Sequence, residues 1–460
     1  MEIEFYGAAR EVTGSCHILR VNGKVVILDC GMFQGKRSES AAKNKTLPVD
    51  VGEIDAVVLS HAHIDHSGRL PYLVRMGYSG TIFATAATRD LCAVMLADSA
   101  HIQESDAKHL AKNHKEFVEP LYTMRDAVRT QELMVGIPYN KTFDVVSGVR
   151  CTYIDAGHIL GSASVLLDIT ENGSTKRLVF SGDIGRPGLS IIRDPVIPTG
   201  ADAVIMESTY GNRDHESTAN ARAELATVVR ETAARGGRIL IPSFAVGRTQ
   251  ELLYNLNGLS REGAIPEIPI YVDSPLATDT TTVFEMHPEV FDHTEDLVNE
   301  AKDLFKFPQV HFTRSVEESK ALNTAKGPMV IIAASGMVEA GRILHHLQQG
   351  AGDPKNTILF VGYQAEGTLG RRIEASPPSV RIYGEDTPLR AEVKIIDGYS
   401  AHADRSELTA WLDGVKTTSP QLGPVYLVHG EADVQDIFKT ALVSKGYTVE
   451  CPEPRSKRTV

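Results

Sequence analysis

The feature that most constrains this chain is a seven-residue segment, residues 60–66, that is dense in metal-ligand side chains. It holds three imidazoles and one carboxylate and directly follows an apolar run. A segment that leaves a buried strand and turns sharply aims its side chains in different directions. His61 and His63 can therefore face one metal ion while Asp65 and His66 face another. Imidazole and carboxylate without a nearby thiolate suit Zn²⁺ in an open catalytic site, with Mn²⁺ or Fe²⁺ as weaker competitors.

Ligand-type residues also follow four apolar runs elsewhere in the chain. The residues at the ends of these runs are His158, Asp183, Glu207 and His429. In layered α/β folds the active site lies beyond the carboxyl ends of the strands, so this pattern favours one shared metal centre. Each residue taken alone has an ordinary explanation as a turn or cap residue. Asp29 also ends an apolar run and is left open between orienting a ligating histidine and forming a turn.

The first part of the chain has the pattern of a sheet that leads into alternating strands and helices. Residues 1–29 contain short alternating runs separated by glycine-containing turns, which is typical of an antiparallel meander. Helical spacing follows over residues 68–76 and 88–115, with a strand predicted at residues 81–84 between them.

The distribution of ligand-type residues predicts a discontinuous domain. They stop at about residue 211, where a second alternation of strands and helices indicates a parallel-sheet domain, and they return at residues 397–404 and at His429. The last residues, 452–460, are expected to form a loose tail. The predicted boundaries are 1–210 for the first part of the metal-binding domain, 211–390 for the inserted domain and 391–460 for the return.

Composition limits the classes of function. The chain has 460 residues, a formal net charge of −12 and a pI of about 5.8, which argues against a broad basic face for nucleic acid. Any polyanionic substrate must then be held by a local positive site. The five cysteines are scattered and form no C-x-x-C pair, so neither a disulfide framework nor a zinc knuckle is indicated. No apolar run approaches the roughly 18 residues that span a bilayer. We expect a cytoplasmic protein without membrane association; a homodimer is one of the oligomeric states left open.

With these residues in place, the chain resembles the metallo-β-lactamase superfamily and, within it, the β-CASP ribonucleases. The four superfamily motifs are matched by Asp29, by His61-x-His63-x-Asp65-His66, by His158 and by Asp183, and the three β-CASP motifs by Glu207, His402 and His429. The resemblance covers essentially the whole chain. Within the family, the chain is similar to the endonuclease subunit of mRNA 3′-end cleavage and its prokaryotic relatives. It implies an α/β fold, a metallo-β-lactamase αββα sandwich interrupted by an inserted α/β β-CASP domain.

The resemblance also implies the roles of the site residues. One Zn²⁺ is assigned to His61, His63 and His158, a second to Asp65, His66 and His429, and Asp183 bridges the two. The implied reaction is hydrolysis of single-stranded RNA, expected to be endonucleolytic, in which both ions activate a bridging hydroxide for in-line attack on phosphorus. His402 would protonate the leaving oxygen. Glu207 would orient the His402 imidazole, and Asp29 would orient a ligating histidine.

Two glycine-containing strand-to-helix junctions of the inserted domain, with a pair of arginines that follows them, are further substrate-binding candidates. Small residues let backbone N–H groups at a helix N-terminus approach a phosphate, and guanidinium groups suit the same task. Such junctions are as often plain tight turns, so both interpretations stay open here. The candidates are Ser243, Arg248, Ser335, Gly336, Arg342, Arg371 and Arg372.

Three other functions are alternatives to an RNA nuclease. A DNA-processing β-CASP nuclease is disfavoured, because members that act on DNA generally lack a histidine at the position of His429. A small-molecule metallo-hydrolase is disfavoured because such enzymes lack the inserted domain and the motif that contains His402. A non-cleaving scaffold subunit is disfavoured because such subunits have lost metal ligands, all of which are present in this sequence.

Overall fold

The chain divides into two compact units. A computed structural model describes residues 1–35, 37–114, 119–292, 304–362, 364 and 367–460. The first unit consists of Met1–Pro187, Asp194–Asp214 and His402–Val460, and the second of Gly188–Arg193 and His215–Ala401. Within the described ranges, no helix has both the length and the apolar character that crossing a bilayer requires.

The first unit contains two seven-stranded sheets. Strands and helices are numbered in chain order. The first sheet has the order β22-β1-β2-β3-β4-β5-β6. Its strands are β1 (Glu2–Gly7), β2 (Cys16–Val21), β3 (Lys24–Leu28), β4 (Ala56–Val58), β5 (Thr81–Ala84), β6 (Met134–Gly136) and β22 (Ser456–Thr459). The pairs from β22 to β3 are antiparallel, as predicted for the meander, and those from β3 to β6 are parallel.

The second sheet of this unit has the order β21-β20-β11-β10-β9-β8-β7. Its strands are β7 (Thr142–Val146), β8 (Val149–Asp155), β9 (Ala163–Glu171), β10 (Ser174–Phe180), β11 (Ala203–Glu207), β20 (Val425–Val428) and β21 (Val449–Glu450). One buried cluster joins side chains of both sheets, among them Phe5 and Leu28 of the first and Tyr153 and Phe180 of the second. The two sheets therefore pack face to face.

Helices cover the outer faces of these sheets. The outer face of the second sheet packs on α12 and α13 through Trp411, Leu412 and Phe438, and α4 contacts β6 of the first sheet. The helices of this unit are α1 (Arg37–Asn44), α2 (Ile64–Ser67), α3 (Leu70–Arg75), α4 (Ala86–His114), α5 (Met124–Leu133), α12 (Arg405–Thr418) and α13 (Ala432–Ser444), with a 3₁₀ turn at Val51–Glu53. The helix expected over residues 88–115 corresponds to α4, and Lys115 lies outside the described residues.

The second unit is built on a six-stranded, all-parallel sheet with the order β14-β13-β15-β12-β16-β19. Its strands are β12 (Arg238–Pro242), β13 (Ile270–Val272), β14 (Val310–Phe312), β15 (Met329–Ala333), β16 (Thr357–Phe360) and β19 (Glu392–Ile395), and a separate hairpin pairs β17 (Ser379–Ile382) with β18 (Glu385–Pro388). Apart from Arg238 and Thr357 at the starts of β12 and β16, its central strands β12, β15 and β16 are buried and apolar, as parallel strands covered on both faces are.

Helices connect the strands of the second unit. They are α6 (Thr218–Ala234), α7 (Arg248–Arg261), α8 (Pro275–Met286), α9 (Val316–Thr324), α10 (Ile343–Gly350) and α11 (Leu369–Glu374), with 3₁₀ turns at Pro288–Val290 and Asp397–Tyr399. Side chains at helix starts accept backbone N–H groups that have no partner within the helix; Ser217, Ser274 and Ser315 do so for α6, α8 and α9.

The αββα sandwich and the separate α/β unit confirm the predicted fold class. The prediction of a loose C-terminal tail is wrong. Residues Ser456–Thr459 form β22, which pairs antiparallel with β1 along its edge. Lys457 and Arg458 of β22 make ion pairs with Glu2 and Glu450 respectively. The prediction failed because a short polar run resembles a tail in isolation, whereas its pairing depends on a strand at the other end of the chain.

Candidate metal centre

The predicted ligand segment lies at the carboxyl end of β4. Residues 59–63 form the loop after this strand, and α2 begins at Ile64, so His61 and His63 lie on the loop and Asp65 and His66 on the helix. Backbone hydrogen bonds hold α2 in place: Cys30 N–H donates to the carbonyl of His66 at 2.8 Å. Gly31 must lack a side chain, because a Cβ there would lie 1.5 Å from the carbonyl oxygen of Asp65.

One group of side chains forms around His61, His63 and His158. The Nε2 atoms of His61 and His158 lie 3.2 Å and 3.1 Å from Nδ1 of His63. Oδ2 of Asp183 lies 3.3 Å from Nε2 of His61 and 3.5 Å from Nε2 of His158. One potential ligand atom from each of these four residues lies within 4.8 Å of the other three.

A second group forms around Asp65, His66 and His429. Nε2 of His66 lies 3.1 Å from Nε2 of His429, which lies 3.5 Å from Oδ2 of Asp65. Oδ1 of Asp183 lies 3.3 Å from Nε2 of His66 and 3.7 Å from Nε2 of His429. The two carboxylate oxygens of Asp183 therefore face the two groups, one each.

The atoms present fit a metal cation. Imidazole nitrogens approach one another within each group, and two lone pairs at that distance repel unless a proton or a cation lies between them. Oδ1 of Asp183 is buried and accepts no hydrogen bond from the described residues, which is costly for a carboxylate oxygen unless a cation satisfies it. Histidine nitrogen and carboxylate oxygen are also the ligand atoms that Zn²⁺ takes at catalytic sites. The first unit thus contains a metal-binding site.

His402 and Glu207 lie next to this site. Nδ1 of His402 lies 3.2 Å from Oε1 of Glu207 and 4.0 Å from Oδ2 of Asp183. An isolated antiparallel bridge joins His402 to Gly185, two residues after Asp183, and so brings its imidazole to the site. The ring of His402 lies 4.4 Å from that of His158 between centroids.

Comparisons with known proteins bear on the whole chain. The model of the metallo-beta-lactamase superfamily matches residues 9–76, that of the Beta-Casp domain residues 249–373, and that of a Zn-dependent metallo-hydrolase RNA specificity domain residues 386–452. A Thermus thermophilus protein named Ribonuclease TTHA0252 is 40% identical over 437 residues, which are 94% of each chain. The chain belongs to the β-CASP ribonuclease family.

Further relatives of this β-CASP chain come from archaea and animals. Transcription termination factor FttA of Methanothermobacter thermautotrophicus is 32% identical, over 99% of this chain and 70% of its own length. Cleavage and polyadenylation specificity factor 73 of Drosophila melanogaster is 31% identical, over 96% of this chain and 61% of its own length. A crystallised protein of unknown function from Enterococcus faecalis V583 superposes with a TM-score of 0.57 at 11% identity, covering 100% of this chain and 99% of its own, which shows a shared fold.

One carboxylate and two hydroxyl groups contact the Nδ1 atoms of three candidate ligand histidines. Nδ1 of His66 lies 2.6 Å from Oδ2 of Asp29, so the structure places Asp29 against a candidate ligand and not only in a turn. Ser60 Oγ lies 3.0 Å from Nδ1 of His61, and Thr209 Oγ1 lies 3.0 Å from Nδ1 of His429. Such contacts fix the ring orientation and leave Nε2 for a metal. The sequence analysis missed Ser60 and Thr209, although each lies within two residues of a site residue that it did identify.

Burial keeps most of the imidazoles neutral. It lowers the pKa of His61 and of His158, and it lowers that of His63 to about 3. A neutral imidazole has the free lone pair that a metal requires, so these three side chains are ready to bind without first losing a proton.

The two carboxylates around His66 create a site for positive charge. Burial opposes ionisation of Asp183, but the imidazoles around it, that of His429 foremost, hold its pKa well below the usual range. Burial likewise opposes a charge on His66, yet Asp183 and Asp29 raise its pKa. The field of the protein therefore favours a cation at this position, which a metal ion supplies.

Glu207 acts similarly on His402. Burial would lower the pKa of the His402 imidazole, but the charge of Glu207 and its hydrogen bond raise that pKa. A histidine with a raised pKa beside a metal site is suited to donating a proton.

The two junctions predicted to bind substrate lie side by side in the second unit. Gly336 packs against the ring of Phe244, which brings the turns after β12 and β15 together. Ser243 and Arg248 are buried, and the Ser243 hydroxyl accepts a hydrogen bond from Thr249 at 3.0 Å. Ser335 Oγ accepts backbone N–H groups of its own turn, that of residue 339 at 3.1 Å.

The three arginines predicted beside them differ in their partners. Arg342 makes an ion pair of 2.6 Å with Asp273. Arg371 is exposed and makes an ion pair of 3.1 Å with Glu374. Arg372 is exposed, and within the described part of the chain no carboxylate pairs with it. Substrate binding by the candidates in this unit stays a prediction, and the structure leaves Arg372 the most available of the three guanidinium groups.

Proposed function

We propose that this chain is a zinc-dependent ribonuclease that hydrolyses phosphodiester bonds of single-stranded RNA and cuts within the strand. The observation that carries the proposal is the placement of Asp183, whose two oxygens face two separate groups of ligands while His402 lies beside it. Support comes from the relative named a ribonuclease, which matches nearly the whole chain, and from the match to an RNA specificity domain.

Two Zn²⁺ ions are the proposed cofactors. His61, His63 and His158 would hold one, and Asp65, His66 and His429 the other, with Asp183 shared between them. When bound, such ions neutralise charge on a phosphate and generate a nucleophile from water at neutral pH. Asp65 and Asp183 are the only carboxylates in this set, so two ions would leave the centre positive and able to attract a phosphodiester in a chain of net charge −12.

Residues of the chain itself supply orientation and the proton. His402, whose pKa Glu207 raises, donates its proton to the leaving oxygen. Glu207 is fully buried, and Oε1 also accepts the N–H of Ile184 at 2.7 Å, so the carboxylate that orients His402 is itself held. Asp29, Ser60 and Thr209 fix the rings of three ligands.

The two compact units receive a proposed assignment as well. The first unit would be the metallo-β-lactamase domain, since it contains the metal-binding site and the residues that match the superfamily model. The second unit would be the β-CASP domain, since residues 249–373 match that model.

One experiment tests the proposed function. A labelled single-stranded RNA is offered in linear and circular form, beside DNA of the same sequence, with and without a chelator. Chelator-sensitive cleavage of the circle with intact DNA is the expected result. Cleavage of linear RNA alone would replace the endonuclease by an exonuclease, cleavage of DNA would favour the DNA-processing alternative, and no cleavage of either polymer would overturn the proposal.

A further inference from the structure

Arg213 and His402 share a neighbour, because the Tyr210 ring contacts both side chains. Its guanidinium lies over the ring of Tyr210, 4.9 Å from the ring centroid. The Tyr210 ring lies 6.2 Å from the ring of His402. These two separations limit the distance between the guanidinium and the His402 imidazole to about 11 Å. Arg213 is exposed, and no carboxylate in the described ranges makes an ion pair with it.

The backbone around Arg213 is firmly held. Gly211 packs so tightly on Phe438 that a Cβ would lie 2.6 Å from that side chain. The backbone N–H of Arg213 donates to the backbone carbonyl of Tyr210 at 3.3 Å. The backbone N–H of Arg405, at the start of α12, donates to the carbonyl of Arg213 at 3.0 Å. A further bridge joins Tyr210 to the residue before Arg405. The side chain therefore projects from a fixed point.

Neighbouring arginines are already engaged. Arg405 makes an ion pair of 2.6 Å with Asp214, and Arg186 one of 3.2 Å with Glu407. Arg213 differs from both because, among the residues that the structure describes, an aromatic face holds its guanidinium and no carboxylate does. An arginine stacked on a ring loses less conformational freedom on binding an anion, and its planar N–H groups match the oxygens of a phosphate.

We propose that Arg213 binds a backbone phosphate of the RNA next to the bond that is cleaved, on the side of the leaving oxygen that His402 protonates. This inference rests on the proposed function. A phosphate fits better than a base, because the ring of Tyr210 occupies one face of the guanidinium and a phosphate needs only its N–H edge. Binding there would fix the position of the RNA strand relative to the site, and it would not depend on the base sequence.

The test measures cleavage of a labelled single-stranded RNA by zinc-loaded protein at several salt concentrations. Arg213→Met removes the charge and keeps a stem over the ring; we expect KM to rise roughly tenfold, with kcat and zinc content unchanged. Arg213→Lys keeps the charge and should recover part of the loss. In a His402→Ala background, Arg213→Met should reduce the slope of log Kd against log salt concentration by about 0.7, the value of one single-strand phosphate contact.

Arg129→Met is the matched control, since Arg129 is an exposed arginine on α5, a helix that contributes no candidate ligand. It should change neither KM nor the salt slope. An Arg213→Met protein with unchanged KM and salt slope would overturn the inference while leaving the proposed function intact. A fall in kcat together with loss of zinc would assign Arg213 a structural role and overturn the inference as well. Absence of RNA cleavage by the unsubstituted protein would instead refute the proposed function.

Discussion

Nδ1 of His402 lies 3.2 Å from Oε1 of Glu207, a carboxylate that is entirely buried. Backbone N–H groups of Ile184 and Thr209 donate to the two oxygens of this carboxylate at 2.7 Å and 3.2 Å. His402 is partly exposed, whereas its partner is not, so the imidazole points toward the site from a rigid support. The proposed proton donor is thus distinct from the proposed zinc ligands, and the two roles can be measured separately.

Replacing His402 by alanine should slow RNA cleavage without removing metal. The imidazole belongs to neither of the two groups proposed to hold zinc; it lies in a third cluster, with Asp183 and Glu207. Zinc content should therefore stay at the level of the unsubstituted protein. Loss of a general acid should lower kcat by roughly 10²–10⁴-fold. Metal analysis and single-turnover cleavage check both parts. His101→Ala, at an exposed histidine of α4, is the control, and zinc loss in the His402 variant would make this residue a ligand.

Replacing Glu207 by glutamine should have a smaller effect. The amide keeps the shape of the carboxylate but loses the charge that raises the pKa of His402. We expect kcat to fall roughly 10–100-fold, as for other groups that orient a catalytic or ligating histidine, with KM and zinc content unchanged. Steady-state kinetics beside the exposed control Glu132→Gln would measure this. A rise in KM at constant kcat would contradict the orienting role.

Asp183→Asn should deplete the metal site. Each oxygen of Asp183 faces one ligand group, so a single neutral amide weakens both groups at once. Zinc content should fall clearly below that of the unsubstituted protein, and RNA cleavage should fall below detection. The same substitution at Asp144, which is exposed on β7, should change neither. A fully active Asp183→Asn protein with its metal retained would refute the assignment.

Asp273 should stabilise the protein in a pH-dependent manner. Burial opposes its ionisation, but His346, Ser319, Thr313 and Arg342 donate hydrogen bonds that hold its pKa well below the usual range. A depressed folded-state pKa means that the stabilisation is complete above the ordinary aspartate pKa of about 3.9 and is lost as pH falls toward the folded-state value.

Asp273→Asn should therefore lower the free energy of unfolding at pH 7 by about 3–5 kcal/mol, the usual effect of removing one partner from a buried ion pair. The difference from the unsubstituted protein should narrow below about pH 4. Asp279→Asn removes an exposed ion pair with Arg314 and should change the free energy of unfolding by no more than about 1 kcal/mol. Denaturant titrations at pH 7 and below about pH 4 measure the free energy of unfolding. A difference between the Asp273→Asn and unsubstituted proteins that does not depend on pH would contradict this account.

The candidate metal ligands could be named from the sequence because their residue types recur at strand ends, and the structure brings them together. His158, Asp183 and His429 are far apart in the chain, yet each follows a buried strand of the same sheet, and parallel strands bring their carboxyl ends to one edge. The inserted parallel sheet was predictable for the same reason, since continuous apolar runs such as Met329–Ala333 indicate strands buried on both faces.

Contacts between distant polar residues could not be predicted in this way. Thr209 supports His429, and Asp273 engages Arg342, but serine, threonine, aspartate and arginine are common in turns and carry no distinctive spacing. Within the described residues Arg213 has no carboxylate partner because its neighbour Asp214 pairs with Arg405, and that information exists only in three dimensions.

The discontinuous first unit has a consequence for how the protein is made. His429 donates its backbone N–H to the carbonyl of Ala8, so the last candidate ligand to be synthesised is held by the residue that follows β1. On the ribosome, the continuous stretch His215–Ala401 can complete its contacts while the strands before it still await β20 and β22. The group of Asp65, His66 and His429 therefore becomes complete only when nearly the whole chain has been translated, and a nascent polypeptide that stalls before residue 429 lacks its last member.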